Sequence, residues 1–98
     1  KRYKYIASDQ IVADLPDRKD RFSVLVRDGV VDVRTAQQIV VIRCHSGMAP
    51  AVAAVIDGVE HPEIIGSIAG DDTIFLAAES LDAAVALQDE FRQLIKQI

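Results

Sequence analysis

Apolar and polar positions along the chain follow two periods and predict three helices and four strands. The first helix carries an apolar stripe at i, i+3, i+4 spacing, formed by Phe22, Leu25 and Val26. Pro16 suits the first turn of this helix, because the N–H it lacks would be unpaired there anyway. Gly29 is expected to end the helix as a left-handed cap. A leading helix is therefore predicted over about residues 16–29.

Four short apolar runs separated by turn residues predict strands in two consecutive pairs. The runs cover residues 30–34, 39–44, 64–69 and 73–78, with 36–38 as the connection inside the first pair. A second helix, rich in Ala and Val, is predicted between the pairs at about residues 48–57. Ser80 is a good N-cap for a last helix. The predicted apolar stripe of this helix comprises Leu81, Ala84, Val85, Gln88, Phe91, Leu94, Ile95 and Ile98.

This order of elements predicts an α+β two-layer sandwich. A leading helix is followed by β-β-α-β-β-α, which gives a four-stranded, mostly antiparallel sheet with the helices on one face. In such a sheet the other face is normally polar, so strand residues alternate. Residues 39–42 and 74–77 are apolar throughout and do not alternate. Both faces of these strands therefore require burial, and the sequence predicts an oligomer.

Length and charge limit the classes of function. Ninety-eight residues allow one domain, and a formal net charge of −4 argues against a nucleic-acid-binding face in this chain. No apolar run approaches the roughly 20 residues of a membrane span. The single cysteine, Cys44, excludes an internal disulfide. Together with the absence of a signal-peptide pattern, this favours a cytoplasmic location without membrane contact.

Two adjacent carboxylates are the leading candidates for chemistry. The run GSIAGDDTIF at residues 66–75 places Asp71 and Asp72 in a tight turn between two apolar segments. Successive side chains in a strand point to opposite faces, whereas a turn can present both acids to one target. Such a pair suits a planar cation like a guanidinium, whose forked donors match carboxylate geometry. The alternative is a solvated hairpin tip, since Gly and Asp dominate turns for conformational reasons.

Other reactive residues carry weaker signals. Cys44 and His45 are neighbours at a strand end and are expected to point to opposite faces, and no ligand spacing accompanies them or His61. No metal site and no catalytic nucleophile are therefore predicted. An acid–base role for Asp71 and Asp72 is the enzymatic alternative. The apolar flanks argue against it, so the chain is predicted not to be an enzyme.

The run at residues 66–75 resembles a segment of the C-terminal domains of bacterial arginine repressors. That family carries a Gly-Thr-Ile-Ala-Gly-Asp-Asp-Thr-like sequence, from which this chain departs only with Ser67 in place of Thr. Upstream, residues 40–43 resemble the family's apolar strand, residues 47–49 the small-residue start of its helix, and residues 53–57 the helix itself. The resemblance covers about residues 17–75.

This resemblance implies a hexamer of two stacked trimers with L-arginine, the co-repressor, bound between them. Asp71 and Asp72 would hold the guanidinium, and Asp57 would meet the α-amino end of the ligand. Ala49 and Ser67 would add local contacts, and a neighbouring subunit would contribute some of these groups. No further cofactor is implied. The function implied is that of an arginine-responsive regulator, repressing arginine biosynthesis or controlling arginine catabolism.

The resemblance also implies a division of the chain. Residues 1–15 would be the end of a missing N-terminal winged-helix DNA-binding domain plus a linker, with residues 3–5 in its last strand; a basic tail is the alternative reading. Residues 16–98 would form the effector-binding and oligomerisation domain. Operator DNA would then be bound only through the missing domain, so no DNA-binding residues are expected in this fragment.

Two positions depart from the family's pattern. Ser46 stands where the family usually has Pro, and Pro50 stands where it has Gln or His. Proline is tolerated in the first turn of a helix, but its side chain cannot form a hydrogen bond to the ligand. A related effector amino acid is therefore one alternative to arginine. The other is a purely structural oligomerisation module, in which the acidic turn is only a turn.

Overall fold

A four-stranded antiparallel sheet with helices on one face forms the fold in the computed structural model, which describes residues 18–96. The helices are α1 (Arg18–Gly29), α2 (Ala49–Gly58) and α3 (Leu81–Lys96). The strands are β1 (Val30–Ala36), β2 (Ile39–Cys44), β3 (Ile64–Ala69) and β4 (Thr73–Ala78), arranged in the order β1-β2-β4-β3. The predicted α+β fold and its order of elements are confirmed. The expected winged-helix remnant and linker at residues 1–15 lie outside the described residues.

The core lies between the helices and one face of the sheet. In β2 and β4, alternate side chains point toward the helices, and Val40, Ile42, Ile74 and Leu76 are at most 1% exposed. The helices contribute the apolar stripe predicted for α1, Phe22, Leu25 and Val26, together with Val52, Leu87 and Phe91. Burial of these apolar side chains, each contributing about 1.5–3 kcal/mol when fully buried, is the main stabilisation of the protomer.

Gly29 does not have the predicted left-handed conformation. Among the described residues, positive φ angles occur at Gln37 (59°) and Gly47 (78°). A Cβ atom at position 29 would lie 2.8 Å from Cγ2 of Val52. Gly29 therefore allows α1 to pack closely against α2, and the reason for a glycine here is tertiary contact rather than backbone conformation.

The predicted stripe of α3 is partly wrong. Ser80 caps the helix as expected, since its Oγ accepts a hydrogen bond of 3.0 Å from the N–H of Ala83. The buried face centres on Ala84, Leu87 and Phe91, and Leu87 was not in the predicted stripe. Leu81 and Val85, which were, remain 53% and 42% exposed. At 100° per residue they lie at the edge of the buried face, which is narrower than the run of apolar residues.

The face of the sheet opposite the helices is apolar and uncovered. Cross-strand pairing aligns Ile39 with Ala77, Val41 with Phe75 and Ile68 with Phe75. We call these five residues the open-face patch. Phe75 is 52% exposed and Ile68 is 73% exposed. The absence of alternation in β2 and β4 thus corresponds to apolar side chains on both faces of the sheet, as predicted.

Candidate functional site

Asp71 and Asp72 lie with Gly70 in the three-residue connection between β3 and β4. The hairpin is closed by a hydrogen bond of 2.8 Å from the N–H of Gly70 to the carbonyl oxygen of Thr73. Both aspartates are exposed. The structure therefore places both carboxylates at the tip of one hairpin.

The backbone of this turn is held by the segment that connects β2 to α2. The N–H of Cys44 donates to the carbonyl oxygen of Asp72 at 2.7 Å, and the N–H of Ala49 donates to that of Asp71 at 3.1 Å. These bonds join residues that are distant in sequence. They fix the acidic turn against the start of α2.

The side chain of Asp71 binds the segment that leads into α2. Its Oδ2 atom accepts hydrogen bonds from the N–H of Gly47 at 3.1 Å and from Oγ of Ser46 at 3.5 Å, the second bond being weak. Met48, the N-cap residue, makes no side-chain capping bond, and the N–H of Ala49, the first residue of α2, is paired with the backbone carbonyl oxygen of Asp71 instead. A carboxylate is also stabilised by the partial positive charge at a helix N-terminus.

Both carboxylates keep capacity for a ligand. The contacts described above involve one oxygen of Asp71, and Oδ1 of Asp72 accepts a bond of 3.0 Å from Oγ1 of Thr73. An ionised carboxylate has about four lone-pair positions, so these bonds leave further acceptor sites on each residue. The turn can therefore accept several N–H donors from a cation.

Cys44 is buried beside this turn. Burial and, to a smaller extent, the negative charge of Asp72 raise the pKa of the Cys44 thiol from 9.0 to about 11. The thiol therefore stays protonated at neutral pH and is a poor nucleophile. His45 is exposed while Cys44 is buried, so the two side chains point apart as expected. Within residues 18–96, no group of three or more His, Cys, Asp or Glu side chains could hold a metal ion.

Asp57 lies at the other end of α2. It follows Ala49 by eight residues, which corresponds to about 12 Å along the helix axis. Asp57 is half-buried and lines a cavity of about 280 Å³. The other lining residues are Ile56, Val59, Glu60, His61, Pro62 and Ile64.

Ser67 and Ala49 lie between these two acidic positions. Strand β3 begins at Ile64, beside the cavity of Asp57, and ends just before the turn that contacts Ala49, so β3 runs antiparallel to α2. Ser67 lies midway along β3 and pairs with the buried Leu76, on the helix-covered face. The structure thus brings Ala49 into contact with Asp71 through the backbone and places Ser67 and Asp57 progressively further along α2.

His61 was set aside by the sequence analysis, yet the structure gives it many contacts. Its side chain is 8% exposed, and its ring lies 5.6 Å from that of Phe22 and 6.1 Å from that of Phe91. Its Nε2 atom lies 3.3 Å from Oε2 of Glu90. These partners are remote in sequence, so no local spacing could have indicated them.

No helix in the described part of the chain is both long enough and apolar enough to span a membrane.

Comparison with known proteins places these features in a family. The family described as the arginine repressor C-terminal domain matches residues 26–93. The chain is 40% identical over 96 residues to the arginine repressor of Lachnospira eligens, covering 98% of this chain and 62% of that protein. It is 43% identical over 84 residues to the arginine repressor of Heliobacterium modesticaldum, covering 86% of this chain and 56% of that protein.

A third relative gives a similar result. The arginine repressor of a Thermoanaerobacter species is 36% identical over 96 residues, covering 98% of this chain and 62% of the relative. The chain thus spans about three fifths of the length of the curated relatives it matches. The family match covers α1 from Val26, the whole sheet, α2, the acidic turn and most of α3. This chain therefore belongs to the arginine repressor C-terminal domain family.

Proposed function

We propose that this chain is the effector-binding and oligomerisation domain of an arginine-responsive transcriptional regulator. L-arginine would be its co-repressor and would bind at the interface between two trimers of a hexamer. The observation that supports this most is the acidic turn, which lies inside the family match and is held in place by both its backbone and its side chains. Operator DNA would be bound by a separate N-terminal domain, and no catalysis is part of the proposal.

The guanidinium of arginine would bind to Asp71 and Asp72. Charge-assisted hydrogen bonds between a guanidinium and a carboxylate are typically worth about 1.5–3 kcal/mol each. Because the turn is already fixed to the start of α2, the ligand does not have to order it on binding. The apolar flanks of β3 and β4 would exclude water from these contacts once a second subunit covers them.

The α-amino end of the ligand would meet Asp57, with Ala49 and Ser67 contributing local contacts. Arginine carries one cationic group at each end, and α2 has an acidic residue near each of its own ends. Some of these groups would come from a neighbouring subunit, because the site lies at an interface. Pro50 is in the first turn of α2 and cannot supply a side-chain hydrogen bond to the amino-acid end.

Self-association would use the open-face patch. The patch contains half-exposed and strongly exposed apolar side chains on a sheet face without helices. Contiguous apolar surface of this kind usually marks an interface. A second copy of the same chain is the proposed occupant, since the family resemblance implies an assembly of identical subunits.

Arginine is expected to strengthen this assembly. Acidic turns from several subunits repel each other when they are brought together at an interface, so the unliganded assembly is weakened. A guanidinium at each turn removes this repulsion and adds hydrogen bonds. By thermodynamic linkage, a ligand that binds better to the assembled state shifts the equilibrium toward it.

A ligand-dependent melting scan with arginine, citrulline, ornithine and lysine tests the proposal. At about one hundred times its dissociation constant, arginine should stabilise the folded state by roughly 2.7 kcal/mol per site. Citrulline has the same shape without the charge and should give a much smaller shift. Equal shifts with arginine and citrulline would contradict the role of the acidic turn, and no shift with any of the four would favour a purely structural oligomerisation module.

A further inference from the structure

One residue that lines the cavity at the C-terminal end of α2 carries a buried polar atom that the contacts above do not use. The side chain of His61 is 8% exposed and lines this cavity. Among residues 18–96, no hydrogen-bond partner lies within reach of its Nδ1 atom. Buried polar atoms are normally satisfied, so an atom without a partner, on a residue that lines a cavity, indicates a ligand group or an ordered water as its partner.

The contact with Glu90 defines the chemistry of this atom. Nε2 of His61 lies 3.3 Å from Oε2 of Glu90. A carboxylate only accepts hydrogen bonds, so Nε2 carries the proton and donates it. In the neutral imidazole, Nδ1 is then an acceptor. The rings of Phe22 and Phe91 pack against the His61 ring and restrict its rotation.

The other polar groups that line the cavity also favour a hydrogen-bond donor or a positive charge. Asp57 and Glu60 both line it and carry negative charge. The cavity also adjoins the last turn of α2, where carbonyl oxygens give a partial negative charge. A site in which Nδ1, two carboxylates and a helix C-terminus all favour positive charge suits a cation with several N–H donors, such as a primary ammonium group.

We infer that His61 is a second acceptor for the α-ammonium group of the effector, beside Asp57, and that it makes the site selective for ligands with a free amino group. This rests on the proposed function, since it concerns the amino-acid end of the same ligand. His61 is a positioning and specificity residue here. It provides the amino-acid end with a hydrogen-bonding side chain in a site where Pro50 provides none.

Calorimetric titration of wild type and His61→Phe with three probes tests this inference. The probes are L-arginine, agmatine, which keeps the amino group without the carboxylate, and 5-guanidinopentanoate, which keeps the carboxylate without the amino group. Phenylalanine preserves the ring between Phe22 and Phe91 but removes the acceptor. The variant should bind arginine and agmatine about tenfold more weakly, the loss of one hydrogen bond to a charged group. Its affinity for 5-guanidinopentanoate should be unchanged.

Two controls separate this effect from damage to the fold. His61→Asn keeps an acceptor near the position of Nδ1, so it should retain more arginine affinity than His61→Phe. In the wild type, the ¹⁵N resonance of His61 Nδ1 should shift when arginine or agmatine is added and stay unchanged with 5-guanidinopentanoate. This second readout decides the matter if His61→Phe does not fold.

The outcomes distinguish this inference from the proposed function. If wild type binds arginine but His61→Phe weakens all three probes equally, or none of them, the inference is wrong and the proposed function stands. An Nδ1 resonance that does not respond to arginine leads to the same conclusion, with an ordered water as the partner of Nδ1. If wild type binds none of the probes, both fail.

Discussion

The two faces of the sheet carry similar apolar side chains but have different surroundings. In β4, Ile74 and Leu76 point toward the helices and are 0% exposed, whereas Phe75 between them is 52% exposed. In β2, Val40 and Ile42 are buried, and Val41 between them is only half-buried. The same six-residue strands therefore contribute to two separate apolar surfaces.

If the proposed function holds, folding and assembly draw on different faces of one sheet. The helix-covered face is completed within the protomer and determines its stability. The open-face patch is apolar without being covered, which is the pattern expected for a surface that is buried by another subunit. Substitutions at adjacent positions of β4 should therefore have separable effects, and this separation can be tested.

The largest effect is expected for Ile74→Ala. Removing a fully buried aliphatic side chain leaves a cavity and should lower the free energy of unfolding by roughly 2–5 kcal/mol. Phe75→Ala is the matched comparison. Chemical denaturation over a range of protein concentrations would separate the two variants. Phe75→Ala should weaken self-association, so it should lower mainly the part of the free energy of unfolding that rises with protein concentration. Similar losses at every concentration would contradict the division between the faces.

Phe75→Lys should dissociate the assembly. A charge placed without a partner in an apolar interface costs several kcal/mol, so association should weaken by more than about one hundredfold. Val85→Lys is the control, since Val85 is an exposed apolar residue on α3, away from the open-face patch. Sedimentation should show dissociation for Phe75→Lys and wild-type association for Val85→Lys. The reverse result would assign the interface to the helix layer.

Gly47→Ala perturbs the acidic turn without changing a side chain on either face of the sheet. Gly47 has φ of 78°, and its N–H donates to Asp71. A side chain in this conformation costs about 1 kcal/mol, so stability should fall by that amount and arginine binding should weaken. Gly70→Ala is the control, because a Cβ atom there would make an ordinary contact of 3.7 Å with the carbonyl oxygen of Thr73. Equal effects of both substitutions on a melting curve would contradict this explanation.

The smallest effect concerns the Cys44 thiol. Its pKa is raised from the ordinary value of 9.0 to about 11 in the folded state. The protonated thiol therefore adds fully to the free energy of unfolding below pH 9.0, and this contribution is lost as the pH rises toward 11. Cys44→Ala should flatten the pH dependence of unfolding in this range. Asp72→Asn should lower the thiol pKa by the smaller share that the carboxylate contributes. Ultraviolet absorbance of the thiolate measures this, and a pKa unchanged by Asp72→Asn would show that the two groups do not interact.

The sequence predicted the elements well because periodicity is a local signal. The strands 39–44, 64–69 and 73–78 were predicted with the bounds that the structure has. Strand β1 is longer than predicted, since it continues to Ala36 and a turn at Gln37 and Gln38 suffices. The buried face of α3 was predicted less accurately. Apolar residues at the edge of a helix have the same spacing in the sequence whether or not a neighbouring element covers them.

The site was only partly predictable for a related reason. The acidic turn could be found because its residues are consecutive. The bonds of the Asp71 side chain to the segment before α2 join residues 24 and 25 positions apart, and the contact of His61 with Glu90 joins residues 29 apart. No local pattern encodes such contacts. The roles proposed for Asp57, Ala49 and Ser67 come from the family resemblance and remain predictions.

Sedimentation equilibrium with and without arginine tests the central claim most directly, which is that arginine at the acidic turn strengthens assembly through the open face. The wild type should associate at micromolar concentration, and arginine should tighten that association. The Asp71→Asn/Asp72→Asn double variant should stay folded, should associate at least as tightly as the wild type without ligand, and should respond little to arginine. A stable wild-type monomer in both conditions, or an undiminished arginine effect in the double variant, would contradict the account.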